Sequence, residues 1–348
     1  MLVIADINPD ILVSGVGELT FGQKEDLVQA TRLTVGGSGC ITAAGLARLG
    51  TEVGVAGVVG DDLFGRFMLD ELSARGVATE RVRVIPGGRT ASSVILSERA
   101  GTRERHILTD PGVMGRLRAS DVDLDSVPRP RHLHVSSWFL HGGATRGFAG
   151  LLARSRERDM TVSVDPNDDP DDRWDAHLPA CLEHIDLLFC TEREAVALAD
   201  RPGSTPLEAA DRLLAALAPG PSSTVVLKRG AEGAVAVSRQ GIHSASAPRV
   251  ETVDAVGAGD TLAAAFLHAF LRGDPITDSL RLGVAAASLS TRFAGGVDAQ
   301  PDPDEAHRVA DSLELSSSRW VPAPTIPGES PRMAAEPTPS ARTDRSTA

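Results

Sequence analysis

Tyrosine is absent from this chain of 348 residues, aromatic residues make up 3%, cysteine occurs three times, and lysine only at positions 24 and 228. Each scarcity excludes something. Cys40, Cys181 and Cys190 are odd in number and show no metal-ligand spacing, so they read as reduced thiols of a cytoplasmic protein rather than a disulfide framework. The formal net charge is -12. Without a basic face, neither a nucleic acid nor a membrane surface is an expected partner. No apolar run approaches the length needed to span a bilayer. The start, Met1 to Asp6, lacks the basic flank and apolar core of a signal peptide. There is no Gly-x4-Gly-Lys-Ser/Thr, hence no P-loop. A nicotinamide-dependent dehydrogenase would carry Gly-x-Gly-x-x-Gly after the first apolar segment, where Asp6-Ile-Asn-Pro-Asp10 stands instead.

What is present is a large apolar fraction, 42%, enough for a sizeable core. Short apolar segments recur at 2–7, 53–59, 93–96, 133–135, 161–164, 187–189, 225–227 and 234–237. Helical patterns lie between many of them, at 42–49, 64–74, 145–158, 192–199 and 207–217. This alternation predicts an α/β fold of three layers, a mostly parallel sheet with helices on both faces. Two stretches, about 11–33 and 83–110, read as strands and turns without helices, and together they predict a small β-sheet lid over a main domain of residues 1–312. Residues 313–348 turn to Ser, Pro, Thr and Arg and are expected to form a disordered tail, with Trp320 and Val321 able to dock transiently.

The most informative string is Val253-Asp-Ala-Val-Gly-Ala-Gly-Asp-Thr261, running into an Ala/Leu-rich helix. Gly257, Ala258 and Gly259 predict a tight turn at a helix N-terminus, where unpaired N–H groups and the helix dipole suit a transferring phosphoryl group. Asp260, in the first turn, stands where a base could take a proton from an attacking hydroxyl. Taken alone, the same residues read equally as a capped turn.

The full string resembles the second signature of the ribokinase-like (PfkB) carbohydrate kinases, with Ala255 in place of the usual Thr. Upstream, Gly36-Gly-Ser-Gly-Cys-Ile-Thr-Ala-Ala-Gly-Leu-Ala-Arg-Leu-Gly50 resembles the first signature. Weaker likenesses are Asn8-Pro-Asp10, Gly57 to Gly65, Asp165-Pro-Asn167 followed by Trp174, and Leu227 to Ala234. The resemblance covers about residues 1–312. It implies ATP with Mg²⁺ and a sugar-like acceptor. Asp260 is then the base and the turn 257–259 the anion hole, while Asn8, Asp10, Gly36, Gly37, Ser38 and Asp165 lie at the acceptor. Thr191, Glu194, Lys228, Gly230 and Gly233 are implied at the nucleotide, Glu194 being the Mg²⁺ residue and Asp254 a ligand for a monovalent cation such as K⁺. A homodimer through the lid sheets is compatible with the same resemblance.

Three departures and ambiguities matter. Thr191 stands where the family carries Asn, which predicts a re-routed Mg²⁺–water contact. Ile41 stands where many sugar kinases have Asn, so a polar pair is lost near the sugar and the substrate is left open. Arg89, Arg103 and Arg105 are lid candidates for meeting phosphate charge. His132 and His134 share one strand face without a third ligand nearby and read as structural. The acidic run Asp168 to Asp172 reads as a solvated loop. Two alternatives remain, a nucleoside kinase using Phe21, Trp138 or Phe139 against the base, and a non-catalytic sensor of sugar or nucleotide.

Overall fold

The computed structural model describes residues 1–19, 22, 25–98, 105–125 and 131–319. In chain order the first elements are β1 (Leu2–Ile4), β2 (Pro9–Val16), β3 (Ala30–Val35), α1 (Ser38–Arg48), β4 (Gly54–Gly60), α2 (Leu63–Ala74) and β5 (Ala78–Ile85). Then follow β6 (Ser92–Glu98), β7 (Arg105–Asp110), β8 (His132–Ser136), α3 (Thr145–Glu157), β9 (Thr161–Asp165), β10 (Leu187–Thr191), α4 (Glu192–Leu198) and α5 (Pro206–Ala216). The last group is β11 (Thr224–Lys228), β12 (Ala234–Ser238), β13 (Gly241–Ala245), α6 (Ala258–Arg272), α7 (Ile276–Ser290), α8 (Pro303–Ser312) and β14 (Leu315–Ser318).

Ten strands form one sheet in the order β14-β13-β12-β11-β10-β9-β8-β1-β4-β5. Pairing is parallel from β11 to β5 and antiparallel from β11 to β14. A second sheet, β3-β2-β6-β7, is the lid. The mostly parallel sheet and the separate small one are both as the sequence predicts.

Alternation along the strands divides the core into two layers. Leu2, Ile4, Leu133, Val135, Val162 and Val164 pack with α3, α4 and α5. Val3, Ala5, Phe189 and Val226 pack on the opposite face with α1, α6 and α7. Helix starts follow local chemistry. Thr191 and Glu194 form a reciprocal capping box on α4, and Thr205, Pro206 and Glu208 start α5 in the same way. Gly257 and Gly273 bound α6 in left-handed conformations.

Three boundaries differ from the sequence reading. Ala78–Ile85 pairs with β4 in the main sheet, so the second lid stretch does not begin at 83 but at β6. As an edge strand with few buried positions, β5 lacks the apolar run that marks the inner strands. The apolar segment 2–7 ends as a strand at Ile4, and the chain crosses to the lid as β2. Leu315–Ser318, assigned to the tail, pairs with β13. Its serines looked like linker, and only the neighbour strand makes them a sheet edge. The remainder of the expected tail, with Trp320 and Val321, lies outside the described residues. Among the described residues no helix is long and apolar enough to cross a membrane.

Phe266 of α6 is fully buried and meets Phe189 edge-on at 5.4 Å. Phe266→Ala is expected to cost about 3–5 kcal/mol in urea unfolding. A loss below about 1 kcal/mol would show that this contact does not anchor α6 to the sheet.

Candidate active site

The parallel strands end along one edge, where β1, β8, β9, β10 and β11 meet the N-termini of α1 and α6 and the base of the lid. At α6, Gly257 adopts φ 71° and no side chain caps the helix, so side-chain oxygens do not compete for its first N–H groups. A Cβ at Gly257 would sit 2.7 Å from Gly296 Cα. Ile41, buried and 3.0 Å from that position, wedges beneath the turn. The structure therefore places Ile41 against the 257–259 turn, where an apolar side chain packs against Gly257 and Gly296.

Acids crowd this edge. Asp6 accepts from the backbone N–H groups of Ser38 at 2.9 Å and Gly39 at 2.8 Å, so it caps α1. Lys228 Nζ donates to both carboxylate oxygens of Asp165, each at 2.8 Å. Burial raises the Asp165 carboxyl and opposes the ammonium, yet the carboxylates of Asp165 and Glu194 outweigh burial and hold Lys228 above its ordinary pKa. With an ammonium in contact with both oxygens, the pair stands as charged. Asp165, expected at the acceptor, and Lys228, expected at the nucleotide, thus meet each other. The ammonium also lies 3.6 Å from where a Cβ would stand on Gly259. Asp260 is buried, and burial followed by the Asp165 charge pushes its carboxyl up to about 8. The neighbouring Ser38 hydroxyl favours the ionised form, so Ser38 belongs beside the expected base.

On the lid side, Asn8 Nδ2 donates to Asp10 Oδ1 at 3.1 Å and to Ser93 Oγ at 3.3 Å, and Ser93 reaches Thr109 at 3.0 Å. Asp10 is buried, and burial with the nearby charges of Asp6 and Asp254 pushes it up to about 7. Gly36 lies against it, for a Cβ there would fall 2.0 Å from Asp10 Oδ1. Gly37 adopts φ 75°, with a would-be Cβ 2.1 Å from the Asp6 carbonyl. Asn8, Asp10, Gly36 and Gly37 thus form one small polar cluster.

A cleft of about 490 Å³ opens on the other side of α6, lined among others by Gly230, Gly233, Arg249, Thr252 and Ala258. Ala258 joins this cleft to the 257–259 turn. Another cleft of similar volume lies on α4 and α5, lined by Arg193, Arg201 and Pro206 among others, with none of the predicted nucleotide residues in its walls. Thr191 and Glu194 are bonded to each other, Glu194 Oε2 accepting from Thr191 N at 2.8 Å and Thr191 Oγ1 from Glu194 N at 3.3 Å. Glu194 is buried rather than solvated. Among the described residues no group of three His, Cys, Asp or Glu is arranged to hold a metal.

Asp254 is engaged on both oxygens, by Val256 N and Gly295 N at 3.0 Å each and by the Arg105 guanidinium at 3.2 Å. That engagement gives the cation reading of Asp254 no support. Arg105 is thereby tied to Asp254 and Arg89 to Asp110, while Arg103 and Phe21 lie outside the described residues. Trp138 is fully buried against Phe148 at 4.8 Å, and Phe139 packs on Trp174 at 5.5 Å. Asp169, within the acidic run, is buried and accepts from Arg173 N and Trp174 N, which corrects the solvated-loop reading at that position. The sequence reading missed Asp6, Ser93 and Thr109. Asp6 carried a signal in the Asp6-x-Asn8-x-Asp10 alternation, whereas Ser93 and Thr109 become neighbours only through the lid pairing.

A family model described as pfkB family carbohydrate kinase matches residues 3–303. The chain belongs to this family. This pfkB kinase is 28% identical over 297 residues to the ATP-dependent ribose-1-phosphate kinase of Halopiger xanaduensis, across 85% of its own length and 93% of the relative's. It is 31% identical over 322 residues to the fructokinase of Klebsiella pneumoniae, across 88% and 97%. In fold it resembles the E. coli protein described as a ribokinase II in complex with ATP and Mg²⁺, with a TM-score of 0.77 at 23% identity over 89% and 98% of the two chains. As a pfkB kinase it is an ATP-dependent sugar kinase, a phosphotransferase with an alcohol acceptor.

Gly36→Ala tests the polar cluster. Its methyl group must displace the Asp10 carboxylate, so KM for the acceptor is expected to rise about tenfold or more, one lost contact of roughly 1.4 kcal/mol, with KM for ATP unchanged. Equal changes in both constants would remove Asp10 from the acceptor side.

Proposed function

We propose that this kinase phosphorylates a hydroxyl of a sugar or sugar-like small molecule, with Asp260 as base and the turn Gly257–Gly259 as anion hole. The observation that carries this reading is the position of Asp260. It stands two residues after Ala258 of the cleft wall, with Asp165, Lys228, Asp6 and Ser38 around it. An uncapped helix start and a glycine beside the Lys228 ammonium fit the phosphates of ATP. Mg²⁺ needs only one or two carboxylates besides phosphate and water, and Glu194 is the acid we assign to that shell, where the ion supplies charge neutralisation on the phosphates.

The residues act as follows. Asn8 and Asp10 hold acceptor hydroxyls, and Gly36 and Gly37 let the acceptor approach the backbone. Asp260 accepts the proton of the attacking hydroxyl as its oxygen bonds to the γ-phosphorus and the bond to ADP breaks. The N–H groups of the 257–259 turn stabilise charge on the transferring group. A sugar is favoured over a nucleoside because Trp138 and Phe139 are both committed to core contacts. A retired sensor would have no use for a buried base whose pKa is lifted towards the working pH.

The test is ADP release from Mg-ATP over a panel of sugars, sugar acids and nucleosides. Asp260→Asn is expected to lose roughly a thousandfold in kcat, and retention of turnover would remove the base. The ionised form is the active one, so in the wild type kcat/KM for the acceptor is expected to rise with pH up to about 8. A profile flat from pH 6 to 9 contradicts this.

The same carboxyl has a stability signature. Its folded pKa of about 8 lies above the unfolded value, so the folded chain holds the proton more tightly and stability falls as pH rises between the two. Asp260→Asn is therefore expected to melt above the wild type at pH 9, and at the same or a lower temperature near pH 5. A mutant that melts lower at both pH values would show that the carboxylate is not a strained group.

A further inference from the structure

Beneath Asp260, the sheet face that packs against α6 carries a column of polar side chains. In register across β8 and β9 stand His132 with Thr161, His134 with Ser163, and Ser136 with Asp165. All but Thr161 are buried. The Thr161 hydroxyl suggests one direction for the hydrogen bonds along this column. Thr161 Oγ1 donates its one proton to the Arg131 carbonyl at 3.2 Å, so it accepts from His132 Nδ1 at 2.7 Å. His132 Nε2 then carries only a lone pair and takes the Ser163 proton at 2.7 Å. Ser163 has no proton left for His134 and accepts from His134 Nδ1 at 2.7 Å. Burial keeps both imidazoles neutral, lowering His132 well below its ordinary value and His134 to about 3.

The column therefore delivers a bare lone pair at His134 Nε2. That atom and Ser136 Oγ are buried and have no hydrogen-bond partner among the described residues. An unmatched buried polar atom is costly, and an enclosed water with two to four polar partners is the usual remedy. Immediately above stands Asp165, which takes two of the three N–H groups of Lys228, and the Lys228 charge reaches His134.

We propose that His134 is a positioning residue: locked as the Nδ1–H tautomer by Ser163 and His132, it accepts, with Ser136, from one enclosed water that takes the remaining N–H of Lys228. The ammonium is then held on Asp165 from two sides and kept off Asp260. This rests on the assignment of Asp260 as base. The groups facing Asp260 are Asp165 on β9, Lys228 on β11, Asp6 after β1 and Ser38 on α1. Without the tether Lys228 leans toward Asp260 and lowers its pKa, leaving a weaker base.

The experiment has two arms on the full chain. In long-range ¹H–¹⁵N spectra of ¹⁵N-histidine protein, His134 is expected to stay neutral with Nδ1 protonated from pH 6 to 9. An Nε2–H tautomer or an imidazolium in that range overturns the proposal. The second arm compares Ser163→Ala with Ser163→Thr. The alanine variant frees the tautomer, and the acid limb of kcat is expected to move down by about one pH unit with KM for ATP unchanged, while threonine restores it. An unmoved limb with only a lower melting temperature overturns the positioning role. If no acceptor is turned over by the wild type, the kinase reading fails by itself and the spectra still decide the state of His134.

Discussion

The buried contact between Lys228 and Asp165 is the constraint around which the active edge is arranged. Five carboxylates, those of Asp6, Asp10, Asp165, Glu194 and Asp260, are buried there, and the net charge of the chain is already -12. A buried ion pair contributes little net stability. Its value here is positional: with Lys228 neutralising Asp165, the acids Asp6, Asp10 and Asp260 are left in different states. Asp6 caps a helix, Asp10 lies near neutrality and Asp260 rises to about 8. The parallel strands bring these groups to one edge because each strand ends there before its helix begins.

The two sides of that edge are built by different means. The polar cluster at the lid depends on glycine at 36 and 37, where any side chain would collide with Asp10 or with the Asp6 carbonyl. The cleft beside α6 depends on the segments before β12 and after β13 and on α6 and α7, and its walls mix small residues with Arg249 and Thr252.

Much of the architecture was legible in the sequence because its inner strands are short apolar runs bounded by helices with their own caps. Thr191 with Glu194 announces a helix start whatever its other role. Edges were less legible. β5 exposes most of its side chains, and β14 is written in serine, so each becomes a strand only by pairing. In the site, the glycine turn and Asp260 are local in sequence and stood out together. The Asp165–Lys228 contact joins residues 63 apart, and the histidine column needs hydroxyls from the neighbouring strand. No local pattern encodes either, although the i, i+2 spacing of His132 and His134 placed them on one face.

The lid meets the body through charge. Arg105 of β7 pairs with Asp254, three residues before the anion turn, while Arg32 of β3 and Arg75 of α2 share Asp298. These contacts are partly exposed, and such pairs contribute about 0–1 kcal/mol each. Two lid-to-body pairs of that size together bias the docked lid by no more than a factor of about 30. Counterions compete for the same charges, so the ionic composition of the solution changes how firmly the lid is held to the body, even with no ligand beside it.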